Sequence, residues 1–253
     1  MENKKTTFIE PKIALIGYGS MGREIEITAR RHNIRVTDIF EIGSKMSIDK
    51  KYEFDVAIDF SYPEFVLENI KILAGLKKNI VMGTTGWYDK MNEIKQIVND
   101  SEVGCIYGSN FSIGMQMYFK IVEFASKLTD KFPEYDLMLH EMHHKRKKDS
   151  PSGSALTIAD IILKNVNSKK EIFTDKMSGV VSPGMLHVSS TRGGEITGTH
   201  SVIMDSPSDT IDLIHRAKNR SGFASGAISA AEWIHGRKGF YQFNEMLEEV
   251  WKD

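Results

Sequence analysis

The stretch from Lys12 to Phe40, KIALIGYGSMGREIEITARRHNIRVTDIF, constrains the fold more than any other part of the sequence. A short apolar run ends on a glycine-rich turn. A segment of helical period follows, and then a second strand-like run. Together these predict a βαβ unit. Gly17, Gly19 and Gly22 stand at the first strand–helix junction, with Tyr18, Ser20 and Met21 between them. Glycines at such a junction let the chain turn tightly and approach a pyrophosphate, whose charge meets the free amides and positive dipole end of the helix. The pattern G-x-G-x-x-G is weak evidence by itself and gains meaning from its flanking strand and helix.

The alternation continues. DVAIDFS at Asp55 to Ser61 reads as a buried strand, Pro63 to Lys78 as helix and NIVMGTTGW as a strand with its turn. Asp89 to Asn99 is helical again, and GCIYGSN is another strand. Strands alternating with helices predict a doubly wound parallel sheet of Rossmann type. After Asn110 the texture changes. SIGMQMYFKIVEFASKL is a helix, YDLMLHEMHH a strand and Ser154 to Lys164 a helix. MLHVSSTR, GEITGTHSVIM and TIDLIHRA then follow without helices between them and read as an antiparallel sheet. The segment from Phe223 to Trp251 reads as helix packing back on the first domain. The expected division is a dinucleotide-binding domain at 1–111, a second α+β domain at 112–219, and a returning segment at 220–253.

Composition narrows the function classes. Apolar residues at 41% and charged residues at 26% are ordinary for a globular chain, and a net charge of -1 argues against a general polyanion binder. No helix-turn-helix is recognisable, so nucleic acid is not an expected partner. The single cysteine, Cys105, can form neither an internal disulfide nor a multi-thiolate metal site, which fits a reducing compartment. The opening MENKKTTFIEPK has no apolar run of signal length, and no stretch approaches a membrane span. A cytoplasmic protein with no membrane partner is expected.

An acidic residue at the end of the second strand can accept hydrogen bonds from the ribose hydroxyls of a dinucleotide. Asp38 and Glu41 compete, and Glu41, at the C-terminal end of the strand, is the better placed. The next residue is Ile42 rather than arginine, so nothing adjacent would hold a 2′-phosphate. NADH is therefore expected to serve at least as well as NADPH. Two later strand ends carry Gly83, Thr84 and Thr85, and Gly108, Ser109, Asn110 and Phe111. Small hydroxyl and amide side chains there could meet the nicotinamide and its ribose, or could be turn chemistry alone.

The run His140 to Ala155, HEMHHKRKKDSPSGSA, concentrates charge just before a helix start. A basic run of this kind is often only a solvated loop. Here Ser152 and Ser154 offer hydroxyls beside free helix amides, Gly153 lies between them, Lys147 adds a full charge and His144 a donor. That set could hold a small dianion at two points. His143 is then left for proton transfer, since histidine titrates near physiological pH. Adjacent histidines without ligand companions at usual spacings do not suggest a metal site.

The motif E-x-H-H-x-x-K-x-D-x-P-S-G-S/T-A at Glu141 to Ala155 resembles the signature of the dihydrodipicolinate reductases, now called 4-hydroxy-tetrahydrodipicolinate reductases. The resemblance extends to the glycine turn, IDFSYPE at Ile58 to Glu64, GTTGW at Gly83 to Trp87, SNFSIG at Ser109 to Gly114 and NRSGFASGA at Asn219 to Ala227. It implies a Rossmann domain joined to a substrate-binding and oligomerisation domain, here 112–219, with an open mixed sheet, assembled as a homotetramer, and an oxidoreductase of lysine and diaminopimelate biosynthesis. It also implies His143 as general acid, His144 and Lys147 as carboxylate partners, and Gly153 with Ser154 as the second carboxylate site. Glu41 matches the ribose ligand, and the segments at 83–85 and 108–111 match the nicotinamide side. Ser154 stands where threonine is commoner, and Ile42 stands where some members have arginine. A different two-domain dehydrogenase of a small acid, or a silent NADH sensor, would share the glycine turn but would not need the basic signature.

Overall fold

The computed structural model describes residues 10–41, 43, 44 and 46–252. The chain forms two compact units, one of Met1–Ile113 with Ser221–Asp253 and the other of Gly114–Arg220.

The first unit is built on a sheet of six strands: β1 (Ile13–Ile16), β2 (Val36–Phe40), β3 (Val56–Asp59), β4 (Asn79–Met82), β5 (Gly104–Tyr107) and β11 (Gly239–Gln242). Their order is β11-β5-β4-β3-β1-β2, and each neighbouring pair runs parallel. Every residue of β1 and β3 is buried, as strands covered on both faces require. Alternation sends Ile13, Leu15, Val56 and Ile58 to one face, against α1 (Ser20–Arg31) and α6 (Ser221–Ile234). Ala14, Ile16, Ala57 and Ile80 turn to the other face, against α2 (Val66–Gly75) and α3 (Met91–Asp100). Small residues let α6 approach closely, since a Cβ on Gly226 would lie 1.7 Å from the carbonyl oxygen of Phe111. The C-terminal segment is not helix throughout: between α6 and α7 (Phe243–Val250) it supplies β11, which extends the sheet beside β5.

The second unit has α4 (Ile113–Thr129), β6 (Asp136–His143), α5 (Gly153–Asn165), β7 (Glu171–Phe173), β8 (Met185–Arg192), β9 (Thr199–Asp205) and β10 (Thr210–Arg216). Its five strands are ordered β10-β9-β6-β8-β7. The antiparallel reading holds for β9 with β10 and with β6, but β8 pairs parallel with both β6 and β7, so the sheet is mixed. The reason is the crossover through α5, which carries the chain back to run alongside β6 in the same direction. β6 alternates strictly, with Leu137, Leu139, Glu141 and His143 buried. The first two join the core with Val122, Ile158, Ile162, Val188 and Val202. Period 2 therefore carries the core face of β6 directly into a carboxylate and an imidazole.

Candidate active site

In the first unit the strand order reverses between β1 and β3, the place where an open parallel sheet leaves a crevice at its carboxyl ends. A cleft of about 490 Å³ lies there, lined by Gly17, Tyr18, Gly19, Phe40, Glu41, Ser44, Phe60, Ser61, Tyr62 and Asn69 among others. The three glycines of the turn do different work. Gly17 has φ +85°, and a Cβ on it would lie 2.5 Å from the oxygen of Phe60. A Cβ on Gly22 would lie 2.4 Å from the oxygen of Gly17, so Gly17 is dictated by the backbone after β3 and Gly22 by the turn itself. Gly19 faces open space. It is also the N-cap of α1, with no side-chain cap bond and no acidic residue in the first turn. The positive helix end is thus left uncovered toward the cleft, with Ser20 and Met21 as its first positions.

Glu41 lines this cleft, with its backbone N–H donating to Ser44 Oγ at 3.1 Å and its carbonyl accepting from Ser44 N at 3.0 Å. Asp38 lies within β2 opposite Ala14, accepts from the Thr37 hydroxyl at 2.7 Å and does not line the cleft. Ile42 lies outside the described residues.

The later strand ends are more inward than the sequence suggests. A Cβ on Gly83 would strike the Phe60 ring at 2.2 Å. Thr84 is buried and its hydroxyl donates to Asp59 Oδ1 at 3.0 Å, while Thr85 is exposed. The fully buried Asp59 also accepts from Ser61 N and Asn69 Nδ2, both at 2.8 Å, and so ties together the ends of β3 and β4 and the body of α2. Burial pushes its carboxyl pKa up, and these donors oppose the shift. Gly108 packs on Phe243, Asn110 Oδ1 accepts from Ser112 N at 2.9 Å beyond Ser109, and the Phe111 ring is core against Phe243. Asp59, Phe60, Ser61 and Asn69 were missed as site residues by the sequence reading, although an aspartate closing an apolar strand was a signal.

In the second unit, Glu141 is fully buried and its carboxylate meets three donors. Oε2 accepts from His143 Nδ1, while Oε1 accepts from Arg192 Nη2 at 2.6 Å and from Ser152 N at 3.4 Å. Burial alone would raise the Glu141 pKa, but the bonds from His143 and Arg192 outweigh it and hold the group at about 2. Ser152 caps α5, its Oγ accepting from Ala155 N at 3.2 Å and lying 3.1 Å from His200 Nε2. Its hydroxyl accepts from the cap amide and keeps its own O–H to donate. His200 packs edge-on to His143 at 5.2 Å between ring centroids. Burial and the neighbouring charge at His143 lower its pKa to about 4.

The basic loop is less free than its sequence implies. Arg146 makes a two-pronged bond to Glu195 at 2.7 and 2.5 Å, and Lys147 Nζ lies 2.9 Å from Asp149 Oδ1. Gly193 N donates to the His143 carbonyl at 3.0 Å, and Lys147 N to that of His144 at 3.1 Å. His144 Nδ1 is buried with no hydrogen-bond partner among the described residues. Gly153 opens to free space at the helix start, and Ser154 follows it half-buried. Glu141, His143 and His200 place ligand-type atoms within 4.8 Å of one another, but the Glu141 carboxylate is already matched by protein donors. Among the described residues no helix is long and apolar enough to cross a membrane.

A Rossmann-type sheet with an uncovered glycine turn, and a second α+β unit that buries a histidine–carboxylate pair at a capped helix start, define a class of two-unit oxidoreductases. Family models narrow the class. One described as dihydrodipicolinate reductase, N-terminus, matches residues 11–111, and one described as dihydrodipicolinate reductase, C-terminus, matches 114–247. This chain belongs to the dihydrodipicolinate reductase family. The 4-hydroxy-tetrahydrodipicolinate reductase of Christiangramia forsetii is 32% identical over 243 residues, covering 95% of this chain and 99% of the relative. That of Methanosarcina mazei is 32% identical over 238 residues, covering 93% of this chain and 88% of the relative. A dipicolinate-bound dihydrodipicolinate reductase from Paenisporosarcina sp. shares the fold, with TM-score 0.73 at 22% identity, covering 94% of this chain and all of that one.

Proposed function

We propose that this chain reduces the cyclic imine dicarboxylate derived from 4-hydroxy-tetrahydrodipicolinate to tetrahydrodipicolinate, on the route to diaminopimelate and lysine. The observation that supports this reading is the buried Glu141–His143 pair of β6, whose carboxylate also accepts from the Ser152 amide at the start of α5.

NADH or NADPH, held at the glycine turn and Glu41, would supply the hydride for C4 of the conjugated imine. As electron density builds at C3, His143 delivers a proton there and completes the reduction. Lys147 and His144 hold one carboxylate, and the amide of Gly153 with the Ser154 amide and hydroxyl holds the other. Fixing both carboxylates orients C4 and C3 before reaction, which is worth several kcal/mol of barrier. The test is direct: generate the substrate in place from pyruvate and aspartate semialdehyde, then follow coenzyme oxidation by absorbance. Turnover confined to the complete mixture supports the reading. Coenzyme binding without turnover makes the chain a sensor instead.

Glu41 is proposed as the ribose ligand, with NADH serving at least as well as NADPH. Its place in the cleft supports this, since a carboxylate there pairs with a diol and repels a 2′-phosphate. Glu41→Ala is expected to weaken NADH binding by about tenfold, the scale of a lost charged hydrogen bond, and to shift the kcat/KM ratio toward NADPH. If Asp38→Ala has that effect and Glu41→Ala does not, the assignment moves to Asp38.

A cytoplasmic homotetramer is the proposed setting. α4 leaves Met117, Ile121, Phe124 and Leu128 about half or more exposed, at a spacing that makes one apolar stripe. A second copy of the chain would cover it. Phe124→Glu is expected to lower the mass measured by light scattering after gel filtration, and an unchanged mass would take this stripe out of the interface.

A further inference from the structure

Glu141 and His143 lie two residues apart on β6, so strand alternation turns both to the inner face. The Glu141 carboxylate bridges three elements: β6 through His143, the end of β8 through Arg192, and the start of α5 through the Ser152 amide. We propose that Glu141 is the positioning residue of the reaction, holding His143 with Nδ1 bound and Nε2 free to donate its proton, and fixing that donor to the helix start that binds the substrate carboxylate. The proposal rests on His143 being the proton donor.

An ionised carboxylate can only accept, so the nitrogen facing it keeps its hydrogen in both charge states of the ring. The proton that comes and goes is then the one on Nε2. That nitrogen is faced by Gly198, where a Cβ would lie 3.0 Å away, so the absence of a side chain at 198 keeps Nε2 uncrowded. Arg192 meets the carboxylate on its other oxygen and balances its charge inside the unit, so the carboxylate stays ionised when His143 gives up its proton. His200 is wedged between His143 and Ser152 and stays neutral at working pH, so it does not compete for the carboxylate. The Ser152 amide, donated to the same carboxylate oxygen as Arg192, sets where α5 begins relative to the proton donor.

Two measurements test this. Nitrogen-15 NMR of the histidine side chains, with His143 assigned by comparison with His143→Gln, is expected to show the Nδ1–H tautomer of neutral His143 in the natural chain. An Nε2–H tautomer overturns the proposal, and this result needs no variant of Glu141 to fold. The second is a double-mutant cycle. In Glu141→Gln the amide has one acceptor oxygen and cannot satisfy both His143 and Arg192. A kcat loss of about tenfold or more is expected, and the same change made in His143→Gln is expected to add almost nothing. A merely structural role would cost the same in both backgrounds and would overturn the proposal, as would a Glu141→Gln that keeps natural kcat. If His143→Gln itself keeps natural kcat, the proton-donor reading fails first, and the two failures are thereby told apart.

Discussion

His143→Gln is expected to lower kcat by about 10² to 10⁴ while KM changes little, the range of a general acid whose proton moves only in the transition state. Glutamine keeps polarity and approximate size, and its amide can still face Glu141, so the surrounding packing survives. It has no proton to release at a useful pKa. Binding of dipicolinate, a flat dicarboxylate that needs no proton, should persist, because Lys147, Gly153 and Ser154 are untouched. The measurement is steady-state kinetics beside calorimetric binding of dipicolinate. Near-natural kcat would remove His143 as acid, and lost binding with retained kcat would make it a substrate contact instead.

Lys147→Ala is expected to weaken dicarboxylate binding by about 10- to 100-fold, the equivalent of about 1.5–3 kcal/mol for a hydrogen bond to a charged group. kcat should fall as well, because a loosely held ring presents C4 and C3 less often in line. In the ligand-free chain Lys147 pairs with Asp149 at 2.9 Å, and that pair holds the Asp149 pKa down against its partial burial. An incoming carboxylate therefore competes with Asp149 for the ammonium. Because the Lys147 side chain keeps 24% of its exposure, added salt should weaken binding in the natural chain more than in the variant. Unchanged KM, affinity and salt dependence would take Lys147 out of the site.

Much of the fold was legible because its signals are local. The apolar runs at Ile13–Ile16 and Val56–Asp59 read as strands, and both are buried throughout, while the alternation in β6 was visible from Asp136 onward. β11 was not legible: GFYQ is four residues between two helices, and its strand character depends on lying parallel to β5. The place of β8 was equally hidden. Sequence order suggests that β8 pairs with β9, whereas β6 lies between them.

The candidate site divides in the same way. Gly17 and Gly22 were readable from the turn pattern, and the structure gives the reason: Gly17 has a positive φ, and a Cβ on either residue would lie within 2.5 Å of a backbone oxygen. The Glu141–His143 pair was readable in principle, since residues i and i+2 of a strand share a face. Thr84 and Phe111 have motif positions that suggest ligands, yet their side chains turn to Asp59 and Phe243. Arg192 and His200 carried no local signal at all. Propensity, periodicity and turn chemistry are properties of neighbours along the chain, so the sequence alone determined the elements, the glycine turn and the charged loop. Which buried donor meets which buried acceptor depends on strands that are distant in sequence, β6 beside β8 and β9, and only their pairing brought Arg192 and the cap of α5 to the Glu141 carboxylate and His200 to the Ser152 hydroxyl.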